Sequence, residues 1–293
     1  MTPADQTADQ DKVGQELRAQ RFQMLEDIAH ELSTNTVVFP TCFDAVFKLR
    51  KELQNPDVTI QRVASLVSLD PLISAKLLRL ANSVIFSAEG GAVKHLSAAI
   101  VRLGLETVRM TALSIAMNEF RLSKEIAVFK ELSQSLWTHS IKTAAGARIL
   151  ARSNERLNPE VAMLAGLVHD LGAFYMLYRA AKYEELRSRP ETVKYLIVQW
   201  HESIGVTLLS SLGLPPEVIQ ASTDHDHPRQ PPEAIVDIAD AVYIANILVG
   251  GDFERAYQGI DPSSEVFTVI HQRFQQYLPE IEAAAEEMLA IFS

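Results

Sequence analysis

A chain of 293 residues and 32.5 kDa is long enough for two domains of about 150 residues each, and it can bury a sizeable core without disulfide or metal support. Only 12 Gly and 13 Pro argue against the many turns of an all-β sandwich or a doubly wound sheet, so helix is the expectation. The net charge of −10, from 37 acidic and 27 basic side chains, repels a phosphate backbone and argues against nucleic-acid binding; the single Cys42 excludes an internal disulfide and a thiolate zinc cluster.

The chain therefore reads as cytosolic, and any metal site must use His and carboxylates. With no signal peptide and no uninterrupted apolar span of about 18 residues, no membrane segment is expected. Residues 1–16 are nearly free of apolar side chains and read as a disordered tail. Leu17, Phe22, Leu25, Ile28 and Leu32 then recur at helical spacing and predict a first helix. Thr59 is placed to N-cap VASLVSL, and Asp70-Pro71 supplies a cap followed by proline in the first turn. LISAKLLRLANSVIF predicts a central helix ended by Gly90-Gly91, with Leu66, Leu72, Leu77, Leu78 and Leu80 in the core. Arg79 and Asn82-Ser83 lie on its polar side, placed to cap or bridge helices, and Lys48, Arg50 and Lys51 read as a solvated basic face. HLSAAIVRLG and LETVRMTALSIAMNEF continue the pattern, with Gly104 as a cap between them.

A second helical set starts near Glu125. It runs through LWTHSIKTAAGARILARS, then VAMLAGLVHDLG capped by Asn158-Pro159 and ended by Gly172. TVKYLIVQWHESIGVTLLSSLG, PPEVIQAST and PPEAIVDIADAVYIANILVGG follow, and the segment from about Ser263 is amphipathic. The expected fold is all-α: a tail (1–16), an N-terminal multi-helix bundle (17–125), a second helical half packed on it (126–252) and a C-terminal helical extension (253–293).

Polar groups set into apolar stripes carry the chemistry, because an unpaired buried charge costs several kcal/mol. His139 shares a stripe with Leu132 and Leu136. His201 shares one with Ile197, Ile204 and Leu208, and Gly205 leaves room beside it. Asp240 falls between Val236 and Ile244; His169-Asp170 end one apolar helix and His225-Asp226 follow another. Singly, each reads as a satisfied core residue or helix cap. Together, neutral imidazoles and carboxylates suit Mn, Fe or Zn, and enough of them can hold two ions about 4 Å apart.

His139 in LWTHS, His169-Asp170 in GLVHDLG and Asp240 in DIAD resemble, in order and spacing, the HD superfamily of metal-dependent phosphohydrolases. The run FPTCFDAVFKL, SLDPLISAKLLRLANS, AAIVRLGLETVR, LWTHS, GLPPEV and DHDHP, over about residues 35–250, is similar to the HDOD family, whose second half is a degenerate HD-like unit. The resemblance implies an all-helical bacterial signalling or regulatory protein acting through contacts with regulatory protein partners, without membrane or nucleic-acid binding. It also implies metal ligands at His139, His169, Asp170, His201, His225 and Asp240, with Asp226 as a further candidate, and a pocket for metal, phosphate or a nucleotide. The rival expectation is a metal-dependent phosphohydrolase acting on a nucleotide or phosphodiester, with His169 and Asp170 at its centre. Two departures weigh against catalysis. Ala173 stands where the related HD-GYP phosphodiesterases carry a lysine, and RQPPEAI follows DHDHP without their GYP loop. Asp226 replaces the second histidine of their HH pair.

Overall fold

The computed structural model describes residues 14–34, 43–53, 55–86, 91–250 and 265–292; the tail up to residue 13, Cys42, Gly90 and residues 251–264 lie outside these. Every regular element among the described residues is helical, and no strand occurs among them. In chain order they are α1 (Gln15–Ser33), α2 (Asp44–Leu53), α3 (Ile60–Val67), α4 (Pro71–Ala81), α5 (Leu96–Arg121), α6 (Lys130–Ala151), α7 (Pro159–Val168) and α8 (Leu171–Ala180). There follow α9 (Glu184–Arg187), α10 (Pro190–Ser211), α11 (Pro216–Ala221), α12 (Ile238–Val249), α13 (Glu265–Phe274) and α14 (Leu278–Phe292).

The predicted caps form. Thr59 accepts from the Arg62 amide at 3.2 Å, Asp70 from Leu72 and Ile73 at 2.9 and 3.0 Å, and Asn158 from Glu160 at 2.9 Å. Each such cap contributes about 1 kcal/mol. Gly104, at φ 79°, kinks α5 where the break was expected. Other boundaries differ. α4 stops at Ala81, because Asn82 turns the chain by bonding Leu78 O and both the carbonyl and the amide of Val93. α7 stops at Val168, and Gly172 lies inside α8 rather than ending α7. Residues 231–237 stay outside α12, whose cap is Asp237. Leu72 is exposed instead of core. Arg50 is half-buried and donates to the Ser211 carbonyl at the end of α10, so it is no solvated charge. The stretch 159–180 is apolar enough in composition to cross a membrane, but 94% of its window is buried and it is broken at His169-Asp170.

α2, α3 and α4 pack on α5, and α5 packs on α6 and α7, joining the two halves. A polar link crosses that junction: Glu160 accepts from Thr107 at 3.1 Å and from the buried Arg148 at 3.0 Å, while Arg148 stacks on Phe86. In the second half α7, α12 and α14 surround α6, burying Trp137, Ile141, Ala144, Leu164 and Ile244 completely. Each large side chain removed from water stabilises the fold by about 1.5–3 kcal/mol. α14 also reaches α4, where Lys76 and Arg79 donate to the carbonyls of Ile291 and Ala290 at 2.6 and 3.0 Å, so Arg79 does bridge helices. α1, expected with the first half, is bonded to the second. Its Glu31 receives Tyr175 Oη at 2.6 Å and the buried Arg179 at 2.5 Å, and Asp27 receives Tyr183 Oη.

Glycines set the two closest helix crossings near the candidate ligands. A Cβ on Gly166 of α7 would lie 2.8 Å from the Ala144 Cα of α6. One on Gly172 of α8 would lie 2.0 Å from the His201 carbonyl oxygen of α10. No residue with a side chain fits at that second crossing without separating the helices.

Candidate metal centre

His139 projects from the third turn of α6, His169 and Asp170 form the junction of α7 and α8, and His201 sits mid-way along α10. His225 and Asp226 come from the turn after α11, where Asp224 adopts φ 54°. The amides of Asp224 and Asp226 both point at the Glu202 carboxylate, at 3.3 and 3.4 Å, and this anchors the turn to α10.

These residues converge. His139 Nε2 and His169 Nε2 are 3.3 Å apart, and Asp170 Oδ2 lies 3.9 and 3.2 Å from them. On the other side His201 Nε2 and His225 Nε2 are also 3.3 Å apart, with Asp170 Oδ1 at 3.5 and 3.2 Å. Asp226 closes this second set, its oxygens 3.4 Å from His201 Nε2 and 3.7 Å from His225 Nε2. Asp170 thus presents one carboxylate oxygen to each histidine pair.

The outer ring nitrogens are fixed by backbone carbonyls: His169 Nδ1 bonds Gly166 O at 2.8 Å, His201 Nδ1 bonds Ile197 O at 2.8 Å and His225 Nδ1 bonds Ser222 O at 3.1 Å. A carbonyl only accepts, so each of these Nδ1 atoms carries a proton and each Nε2 turns a lone pair inward unless the ring is charged. Two facing lone pairs at 3.3 Å repel, and either a proton or a cation between them removes the conflict. That donor set, imidazole nitrogen with carboxylate oxygen and backbone-oriented rings, fits Mn, Fe or Zn. The first set leaves room for further ligands; the second has four protein ligands and is buried throughout.

Charge follows the same division. Burial and the neighbouring His169 push His139 down to about 4, so it is neutral at physiological pH. For His225 burial opposes the charge, but Asp226, Asp170 and Glu202 together outweigh it and push the ring up to about 10. His201 is raised as well, against its burial, by Asp226 and Asp170. Asp170 is held well below the ordinary carboxylate range by His169 and His225, and Asp226 by His225 and His201, although burial alone would raise both.

Asp240 does not join the cluster. Its carboxylate takes Arg229 at 2.9 Å and the Val236 amide at 3.0 Å, and it caps the approach to α12. The α12 residue that does reach the site is Asn246, which donates to Asp226 Oδ1 at 2.9 Å and to the His225 carbonyl at 3.1 Å. Six residues along a helix turn the side chain through about 240°, so Asp240 and Asn246 cannot serve one site. Glu202 was not anticipated; the only signal was its place beside His201, and an exposed-looking Glu is common.

Access comes from one side. The His139 side chain keeps 11% exposure against 0–4% for the other ligands, and it opens onto a cleft of about 620 Å³ between α6 and the end of α12.

Comparison with known proteins agrees with this framework. The HDOD domain pattern matches residues 39–228. A curated but uncharacterised protein of Treponema pallidum (strain Nichols) is 24% identical over 259 residues, covering 85% of this chain; the chain spans about half, 48%, of that relative. A provisionally named metal-dependent phosphohydrolase from Shewanella amazonensis SB2B superposes with a TM-score of 0.67 at 23% identity, covering 91% of this chain and 99% of its own. An HDOD domain protein of unknown function from Geobacter sulfurreducens gives 0.57 at 21%, over 89% and 97%. A provisionally named signal transduction protein from Marinobacter aquaeolei VT8 gives 0.51 at 19%, over 96% and 68%. These likenesses show a shared helical fold.

Proposed function

Because this chain belongs to the HDOD domain family, we propose that it is a member that has kept a two-metal centre and acts as a metal-dependent phosphohydrolase on a nucleotide or other phosphoester. The observation that carries this reading is the Asp170 carboxylate, whose two oxygens face two separate histidine pairs 3.2–3.9 Å away. His139, His169 and Asp170 would hold one cation; His201, His225, Asp226 and Asp170 the other. Such cations supply Lewis-acid polarisation of a phosphoryl oxygen and lower the pKa of water. The chain itself orients the rings through Gly166, Ile197 and Ser222, holds the turn after α11 through Glu202, and leaves His139 the most exposed of the candidate ligands. The name carried by the Shewanella neighbour is consistent with this reading. A cytosolic location, which rests on cysteine usage, is part of the proposal.

A second reading, a signalling regulator that works through protein partners with the metals as structural ties, is favoured by one observation. Ala173 is buried and apolar where related phosphodiesterases carry a phosphate-facing lysine. Elemental analysis of the purified protein, followed by assays of cyclic dinucleotides, nucleoside phosphates and a generic phosphodiester with Mn, Fe or Zn, separates the two. Metal-dependent turnover abolished by His169→Ala with Asp170→Ala supports the hydrolase. Bound metal with no turnover on any of these leaves the regulator, and no bound metal sinks both metal readings.

A further inference from the structure

The outer face of α6 is a polar stripe. Lys130, Gln134, Thr138 and Lys142 follow one another at four-residue steps, with Glu131 and His139 beside them, and all six line the cleft that opens on the cluster. A second cleft of about 520 Å³ continues from Lys130 and Glu131 toward Lys194. Lys194 is neutralised by Glu191 at 2.9 Å. Gln134 is taken by Arg121 at 2.7 Å. Lys130 and Lys142, in contrast, form no ion pair among the described residues, and against them the cleft holds the single carboxylate of Glu131. Two ammonium groups against one carboxylate leave the opening beside His139 with a net positive lining in a protein of net charge −10, and such a local excess favours an anion.

We infer that Lys142, assisted by Lys130, makes this cleft the seat of a phosphoryl group, with the Lys142 ammonium supplying from α6 the positive charge that Ala173 does not supply from α8. The inference rests on the metal-centre reading for what lies at the floor of the cleft, and on the lysines for its charge. The ligand ring that faces the cleft, His139, is one turn from Lys142, so phosphoryl oxygens seated on the ammonium lie at the open side of the centre. A charge-assisted contact of this kind is strong in a partly enclosed site and weakens with salt. The cleft is large enough for a mononucleotide-sized ester.

The test is calorimetric titration of inorganic phosphate into the full chain, once loaded with Mn and once treated with chelator, for the native protein and for Lys142→Ala, Lys130→Ala and the distant surface control Lys94→Ala. Lys142→Ala is expected to weaken phosphate binding about tenfold or more, Lys130→Ala less, and Lys94→Ala not at all, with Mn content unchanged in all three. Lys142→Arg is expected to restore most of the affinity. In chelated protein the binding is weaker and still sensitive to Lys142→Ala. Equal phosphate affinity in native and Lys142→Ala protein overturns the inference, as does no phosphate binding in either metal state. Failure to take up Mn overturns the metal reading and leaves the chelated titration to decide the lysine seat.

Discussion

The crossing of α8 and α10 offers a sharp test of how the fold holds the cluster. Gly172→Ala adds one methyl group that would sit 2.0 Å from the His201 carbonyl oxygen and 2.7 Å from the Gly205 amide nitrogen. Ordinary contact begins above about 3 Å, so the helices must separate by about 1 Å. Both obstructing atoms are backbone, and neither can swing aside. Ala gains up to about 1 kcal/mol over Gly in helix propensity, while overpacking of a tight core typically costs about 1–3 kcal/mol, and an immobile backbone neighbour puts this site at the upper end. The expected net loss is about 2 kcal/mol. Asp170 and His201 lie on the two sides of that crossing, and metal ligands tolerate displacements of only about 0.2 Å, so cation binding should fall with stability. Gly205→Ala is the matched control: its Cβ would meet Gly172 at 3.4 Å or more, an ordinary contact, so the same substitution on the facing helix should be neutral or stabilising. Urea unfolding midpoints and Mn stoichiometry measure both. A Gly172→Ala protein as stable as the native one, or a Gly205→Ala protein equally damaged, would refute the reasoning.

Other expectations concern the ligands. Asp170→Asn should abolish both bound cations, because it serves both histidine pairs, whereas Asp226→Asn should leave one; Mn stoichiometry by elemental analysis distinguishes them. Asp240→Asn should leave that stoichiometry unchanged while lowering stability by about 1 kcal/mol through weaker bonds to Arg229 and the Val236 amide. The pH dependence has a definite sign. With a folded pKa raised to about 10 from an ordinary 6.5, His225 contributes stability to the metal-free protein that is full below pH 6.5 and lost as pH rises through 10. Over the same window Mn affinity should rise, about tenfold per pH unit for each proton displaced, since the cation competes with the His225 proton. Thermal melts of chelated protein and Mn titrations between pH 6.5 and 10 read the two opposed trends.

Much of this architecture was legible because it depends on local rules. The caps at Thr59, Asp70 and Asn158 and the kink at Gly104 follow from backbone chemistry that a few neighbouring residues decide. The convergence of His139, His169, Asp170, His201 and His225 was legible for a different reason: His139 and His201 are polar groups on apolar stripes, the others stand at the ends of apolar helices, and polar groups so placed must meet a partner. The same rule misplaced Asp240, since Arg229 lay close enough in sequence to satisfy it locally and left Asn246 to face the cluster. The docking of α1 was illegible. Its apolar stripe fits either half, and the choice is made by Glu31 and Asp27 finding Arg179, Tyr175 and Tyr183, a pairing across about 150 residues. Gly172 reads as a helix end because glycine is a usual terminator; its actual constraint, a carbonyl oxygen on another helix, exists only after folding.

The charge balance of the cluster also shows why retention of these ligands and retention of activity are separate questions. A nest of carboxylates would be expected to repel itself, yet here the second set offsets its own charge: His225 is pushed up to about 10 and His201 is raised, while both aspartates are held below the ordinary carboxylate range. The fold can therefore persist in either state, protonated or metal-loaded, and the buried set ties α10, the turn after α11 and the α7–α8 junction together in both. The open set differs in exposure: His139 is pushed down by burial and by the neighbouring His169 and stays neutral, and its side chain keeps the largest exposure of the ligands. Under the hydrolase proposal, substrate would be met at the His139 side, where a ligand ring and Lys142 line the same cleft.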